Sequence, residues 1–246
     1  MGKMPGAITA WVEKRRIRPY FSTMFDRDET QSRPRWRWSI TLVLIALNII
    51  AFGVQFTLLP KVVDREYLVL SLPGIEHGYF WQLLTYQFMH ANPLHLILNC
   101  WGLFVFGRPV EWAVGKARFL VVYFLGGIFG GLLQVMACYL WPYYFYGGMV
   151  GASAGLFGII ASFSMLFPEQ PLLMLLFFVI PLKMRAKSLL ALLLVTTGLG
   201  ISFPRSILGG NIAHFAHLGG ILTGLAFSRF YFLRSLRLQD PVGDSY

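Results

Sequence analysis

Three short stretches carry polar side chains of reactive type inside otherwise apolar sequence. HANPLHLILN holds His90, His95 and Asn99; GASAG holds Ser153 between Gly151 and Gly155; NIAHFAHLGG holds Asn211, His214 and His217. A serine hydroxyl becomes a nucleophile when a histidine accepts its proton. Amide and imidazole N–H groups are the donors that stabilise the oxyanion formed when such a nucleophile attacks a carbonyl. His95 and Asn99 are four residues apart and share one face of a helix. A lone histidine in an apolar segment is more often a hydrogen-bonded structural residue; three such groups at one depth point to a shared site.

The elements that position them are set by composition. The 246 residues are 56% hydrophobic and 13% charged, with mean hydropathy +0.60, whereas soluble domains carry about 25% charged residues. Spanning a bilayer takes about 20 predominantly apolar residues. The apolar stretches predict six spans, at 38–59, 93–107, 117–140, 152–167, 187–203 and 212–233. The expected fold is therefore an all-α, polytopic membrane bundle of six transmembrane helices. Residues 1–37 read as a basic, cytoplasmic N-terminal segment that is interfacial or tail-like rather than a cleaved leader. Residues 38–233 read as the membrane domain and 234–246 as a short cytoplasmic tail. The piece PLLMLLFFVIPLK, about 172–183, is too short to span and is expected to be interfacial or re-entrant.

Charge orients this arrangement. Lys and Arg number 9 in the N-terminal segment and 3 each at 107–118, 168–187 and 228–246, against 2 at 60–92, none at 139–151 and 1 at 204–211. By the positive-inside rule this 18-to-3 asymmetry puts both termini in the cytoplasm. The net charge of +10 then belongs to loops facing anionic lipid, and no nucleic-acid partner is implied. Ser153 falls at the outer end of the fourth span, and His217 about a turn and a half into the sixth.

That topology excludes a soluble-hydrolase reading of Gly-Ala-Ser-Ala-Gly. Such an elbow needs a preceding strand and an acidic residue between serine and histidine. Glu169, the only acid between Ser153 and His217, maps to the far side of the membrane, as do Lys183 and Lys187. A Ser–His dyad without a carboxylate remains. Four-residue glycine spacing in the third, fourth and sixth spans lets helices approach closely and would bring Ser153 to His217. Cys100 and Cys138 lack metal-ligand or disulfide spacing; no metal, phosphate or nucleotide motif appears, and no cofactor is expected.

Over about residues 38–233 these residues resemble the rhomboid intramembrane serine proteases. His90, His95 and Asn99 look like that family's H-x4-H-x3-N pattern; Gly107, Glu111 and Gly115 its G-x3-E-x3-G; Gly151 and Ser153 its G-x-S. Ala216, His217, Gly220 and Gly224 are similar to its A-H-x2-G-x3-G. The resemblance implies Ser153 as nucleophile and His217 as base and then acid. It implies an oxyanion held by the Ser153 N–H, Asn99 and His95, and a structural role for His90. Phe157 is expected to stack on His217, and His214 to be an accessory polar group. Two departures stand out: Ala154 where a glycine often follows the nucleophile, and Trp81–Gln82 where relatives often carry Trp–Arg.

The expected function is a serine endopeptidase cutting transmembrane segments of membrane proteins. The chain is expected in a bacterial inner membrane, with lipid and transmembrane substrates as partners; its oligomeric state stays open. The fifth span and Ser202–Asn211 are expected to lie beside the site and gate substrate entry. The rivals are a non-proteolytic relative that binds transmembrane helices, which would usually lack the serine or histidine, and a transporter, which would carry an intramembrane carboxylate or inverted repeats.

Overall fold

The computed structural model describes residues 39–58, 63–145, 147–176, 180–204 and 212–237. The segment at 1–37, the loop at 205–211 and the last nine residues of the tail lie outside the described residues. The chain is predominantly helical. Among the described residues two helices, α1 (Ile40–Thr57) and α6 (Lys116–Leu140), are long and apolar enough to cross a membrane. A single turn, α7 (Pro142–Phe145), follows α6; shorter apolar helices are α8 (Ser153–Leu166) and α9 (Ala186–Ser202), and α10 is His214–Arg237.

Between α1 and the second apolar stretch the connection folds into short helices α2 (Leu72–Glu76) and α3 (Gln82–Thr85). Buried Gln82, at the departure from Trp–Arg, organises it. Its side-chain oxygen accepts from Ser71 N at 3.2 Å and its amide donates to Glu66 O at 2.8 Å. Trp81 Nε1 donates to Tyr67 O at 2.8 Å and its ring stacks on Tyr79. A carboxamide that pairs with two distant backbone groups folds the loop back on itself without a cation.

The second apolar stretch exceeds its expected length. Helix α4 (Pro93–Gly102) opens with Asn92 capping His95 N at 2.8 Å. It passes through a wider π turn at Leu103–Gly107 and continues as α5 (Arg108–Val114). Arg108 ends the apolar run but not the backbone ladder. The turn to α6 comes at Gly115, whose φ of +86° suits only glycine without strain.

The extra turn has a purpose at Glu111. Helix α1 has no side-chain cap of its own, and its first N–H groups need acceptors. Glu111 supplies them from 70 residues away: it accepts from Ile40 N (2.8 Å), Thr41 N (3.0 Å), Thr41 Oγ1 (2.8 Å) and Ser39 Oγ (2.7 Å). A carboxylate at a helix N-terminus is also favoured by the helix dipole.

Helices α6, α8 and α10 meet at glycines. A side chain on Gly155 would strike Tyr123 O of α6 at 2.6 Å, and one on Gly219 would strike Gly130 Cα at 2.6 Å. One on Gly158 would meet Gly220 O at 3.1 Å, and one on Gly220 would overlap the Ala154 carbonyl. Backbones this close exchange bulky packing for direct helix contact.

The apolar piece after α8 is a β-hairpin, which adds a strand pair to the expected all-α bundle. Strands β1 (Pro171–Leu176) and β2 (Ile180–Arg185) run antiparallel with Pro171 opposite Arg185 and Leu176 opposite Ile180. A continuous apolar run hides a period of two, so its strand character was not readable.

Candidate active site

Ser153 is the first residue of α8. The chain reaches it through Gly151, at φ +125°, and two ties hold that approach. Gly151 N donates to Tyr86 O at 2.9 Å, and Leu70 and Met149 exchange backbone bonds at 3.1 and 2.7 Å. Tyr86 is itself fixed by its hydroxyl, which donates to Gly127 O of α6 at 2.6 Å.

His217 lies in the first turn of α10, nearer the helix start than expected, because α10 begins at His214 rather than at the first apolar residue, Ile212. The α8–α10 seam brings its Nε2 to 2.9 Å from Ser153 Oγ. Phe157, one turn along α8 from Ser153, lies flat on the His217 ring, centroids 4.0 Å apart and planes 11° apart. Both members of the pair are half-buried.

His95 and Asn99 converge on Gly151. A side chain at Gly151 would lie 2.7 Å from His95 Nε2 and 3.7 Å from Asn99 Nδ2. The space kept open by this glycine, two residues from Ser153, is thus lined by imidazole and carboxamide nitrogens. Asn99 is held there by one Nδ2 bond to His95 O at 3.1 Å. First-turn N–H groups of α8 point to the same end of the helix.

His90 sits one step back from this space. Its ring is fully buried, edge-on to His95 with centroids 5.1 Å apart. Its backbone is gripped at both ends by Gln55 of α1, which donates to His90 O at 2.8 Å and accepts from His90 N at 3.0 Å. Gln55 and Tyr86 escaped the sequence reading. Gln55 had a signal, a carboxamide in an apolar span; Tyr86 acts through its backbone carbonyl and had none.

His214 is buried, edge-on to His217 at 6.2 Å, and its ring fills the notch at Gly200 of α9. Gly220 lies at the Ala154 carbonyl, one turn from His217. Ala154 is fully buried, and the methyl that replaces a glycine faces the bare backbone of Gly130 in α6, where an added Cβ would lie 3.0 Å from it. Among the described residues no cluster of histidine, cysteine and acidic groups could hold a metal.

The Rhomboid domain family matches residues 77–234. The chain is 32% identical to YdcA of Bacillus subtilis over 155 residues, 63% of this chain and 69% of that one. It is 28% identical to Rhomboid-like protease 3 of Toxoplasma gondii over 220 residues, 88% and 76% of the two chains. It is also 31% identical, over 87 residues, to the Inactive RHOMBOID-like protein 8 of Arabidopsis thaliana, covering 35% of this chain and 23% of that one. With the family match extending over well more than half of its length, this chain belongs to the rhomboid family of integral membrane proteins.

Proposed function

We propose that the chain is an active intramembrane serine endopeptidase that cleaves transmembrane segments through Ser153 and His217. The observation that carries this is the 2.9 Å approach of His217 Nε2 to Ser153 Oγ, the reach a general base needs. In this reading Ser153 Oγ attacks the scissile carbonyl as His217 takes its proton. The oxyanion settles over Gly151 against His95, Asn99 and the Ser153 N–H. His217 then protonates the leaving amine, and water hydrolyses the acyl-enzyme. Each oxyanion donor contributes on the order of 10²–10³ in rate by analogy with soluble hydrolases.

The reading includes six spans with both termini cytoplasmic, in a bacterial inner membrane, with α9 beside the entry to the site. The shorter helices α8 and α9 cross only part of a bilayer by themselves; 14 residues at about 1.5 Å each give about 21 Å. That geometry lets water enter from the Ser153 end. Substrate helices must unwind locally to present a peptide bond, so cleavage favours small or helix-breaking residues.

A relative named as inactive makes the non-proteolytic alternative concrete, while the presence of both Ser153 and His217 favours the protease. The test is cleavage of a transmembrane substrate in proteoliposomes by wild type, Ser153→Ala and His217→Ala. Cleavage by wild type alone is expected. An inert wild type that still binds the substrate helix establishes the alternative.

A further inference from the structure

The β1–β2 hairpin takes no part in this chemistry. It leaves the domain at the end of α8 opposite Ser153, and β2 runs directly into α9 without a linker. Its ladder continues below the strands: Ala186 N donates to Gln170 O at 3.0 Å and Lys187 N to Pro168 O at 3.1 Å. Each strand is about 20 Å long, six residues at about 3.3 Å each.

The composition of this extension suits neither water nor the bilayer interior. From Pro171 to Leu182 the sequence has no charged residue, and all but its two prolines are Leu, Met, Phe, Val or Ile. Leu173 is 61% exposed and Leu182 39%. An uncharged apolar ribbon with two open edges would template aggregation in water. In the hydrocarbon those same edges would leave N–H and C=O groups unpaired, which excludes open sheet edges from that depth. The re-entrant option for this piece falls on that argument. The interface, where apolar side chains reach acyl chains while backbone edges meet headgroups and water, satisfies both demands.

Charge selects the lipid. Lys183 stands opposite Leu173 in register, so cation and exposed apolar side chain share one face. Arg185 and Lys187 follow, both paired to Glu169 at 2.6 and 2.5 Å, and the Lys187 bond holds the Glu169 carboxyl below its usual range. Arg108, Lys116 and Arg118 lie at the same end of the helices, where Glu111 is engaged by α1. Among the described residues the site end instead carries Asp64, Glu66 and Glu76 against Arg65.

We propose that the β1–β2 hairpin is an anchor for anionic lipid, lying along the bilayer face opposite the Ser153 site with Leu173 in the acyl boundary and Lys183, on the same ribbon face, reaching the phosphates. Because β2 continues into α9, the anchor sets the depth of the helix beside the site. The inference rests on the reading that α8 and its neighbours span a bilayer.

The test uses the full chain with Cys100 and Cys138 replaced by alanine and a fluorescent NBD label on Leu173→Cys, in phosphatidylcholine vesicles with and without phosphatidylglycerol. The expected result is blue-shifted emission, quenched more by lipids doxyl-labelled near the headgroup than by those labelled near the chain end. Phosphatidylglycerol should strengthen that quenching, and Lys183→Glu with Arg185→Glu should remove the gain. Access to aqueous dithionite without lipid quenching, strongest quenching at the bilayer centre, or a signal that grows with protein density through pairing of copies would each overturn the anchor. Equal quenching in both vesicle types would overturn its anionic preference. A label at Ile50→Cys on the exposed face of α1 is the control: if it too escapes lipid quenching, the membrane reading itself has failed rather than the hairpin inference.

Discussion

Replacing Gly220 by alanine tests whether one helix contact sets the reacting geometry. The new Cβ would overlap the Ala154 carbonyl oxygen and lie 3.0 Å from the Ala154 carbonyl carbon. Carbon atoms in good contact sit about 3.5–4.0 Å apart, so this contact alone requires α8 and α10 to separate by roughly 0.5–1 Å, and the overlapped oxygen requires no less. The obstacle is backbone, which cannot rotate away as a side chain would. Gly220 lies one turn from His217, and Ala154 is the neighbour of Ser153. The same displacement therefore takes the 2.9 Å Ser153–His217 approach to at least roughly 3.4–3.9 Å, at or beyond the limit of a hydrogen bond.

A misplacement of about 1 Å costs about 10²-fold in rate, and overpacking of this kind costs about 1–3 kcal/mol of stability. Two rates are needed: cleavage of a transmembrane substrate, and labelling of Ser153 by a fluorophosphonate, which needs an activated serine but no substrate helix. Both should fall about 10²-fold in Gly220→Ala protein that still unfolds cooperatively. Gly198→Ala, on α9 with nothing within 4 Å of the new atom, should leave both unchanged. Wild-type rates in Gly220→Ala would refute the claim that the seam positions the pair.

Three further outcomes follow from named contacts. Phe157→Leu removes the flat surface under His217; a stacked aromatic pair contributes about 0.5–1.5 kcal/mol, so kcat should fall roughly 2- to 12-fold with the melting temperature little changed. Gly151→Ala combines a positive φ with a clash against His95 in the space assigned to the oxyanion, and kcat should drop by at least about 10²-fold, read against fluorophosphonate labelling. Glu111→Ala strands the four donors that Glu111 accepts from the start of α1; a loss of at least about 2 kcal/mol should lower the melting temperature by roughly 4–8 °C, measured by thermal scanning in detergent.

What could be read in advance depended on how local each signal was. Ser153, His217, His95 and Asn99 stood out because polar groups are costly within apolar segments, and the glycines because close helix approach needs them at regular spacing. The second helix runs past Arg108, beyond its expected end, because hydropathy reports the apolar run while the hydrogen-bonded ladder stops only where Gly115 turns the chain. The hairpin was hidden by its own uniformity. Gln82 and Gln55 each pair with backbone groups far along the chain, 11 to 35 residues away. Such partners exist only once the fold brings them together, and no spacing rule anticipates them.

The absence of an acid from the proposed pair then has a physical account. Glu111 is engaged at the start of α1, Glu169 lies beyond the far end of α8, and Asp64, Glu66 and Glu76 belong to the connection between α1 and α3 rather than to the helices that carry the pair. Moving a carboxylate to the depth of His217 would cost several kcal/mol unless its charge were met by several donors. Orientation of the base is a separate task, and α8 performs it with an apolar group. Ser153 and Phe157 are four residues apart on one helix, so nucleophile and ring-holding surface share a rigid frame. Stacking at 4.0 Å and 11° fixes the imidazole plane, and the contact with Ser153 Oγ fixes its rotation within that plane. The remaining freedom is the separation of α8 from α10, which Gly220 and the Ala154 carbonyl hold at backbone contact. In this site the work of a third, charged residue is divided between a phenyl ring and a glycine, both of which a bilayer accepts at no desolvation cost.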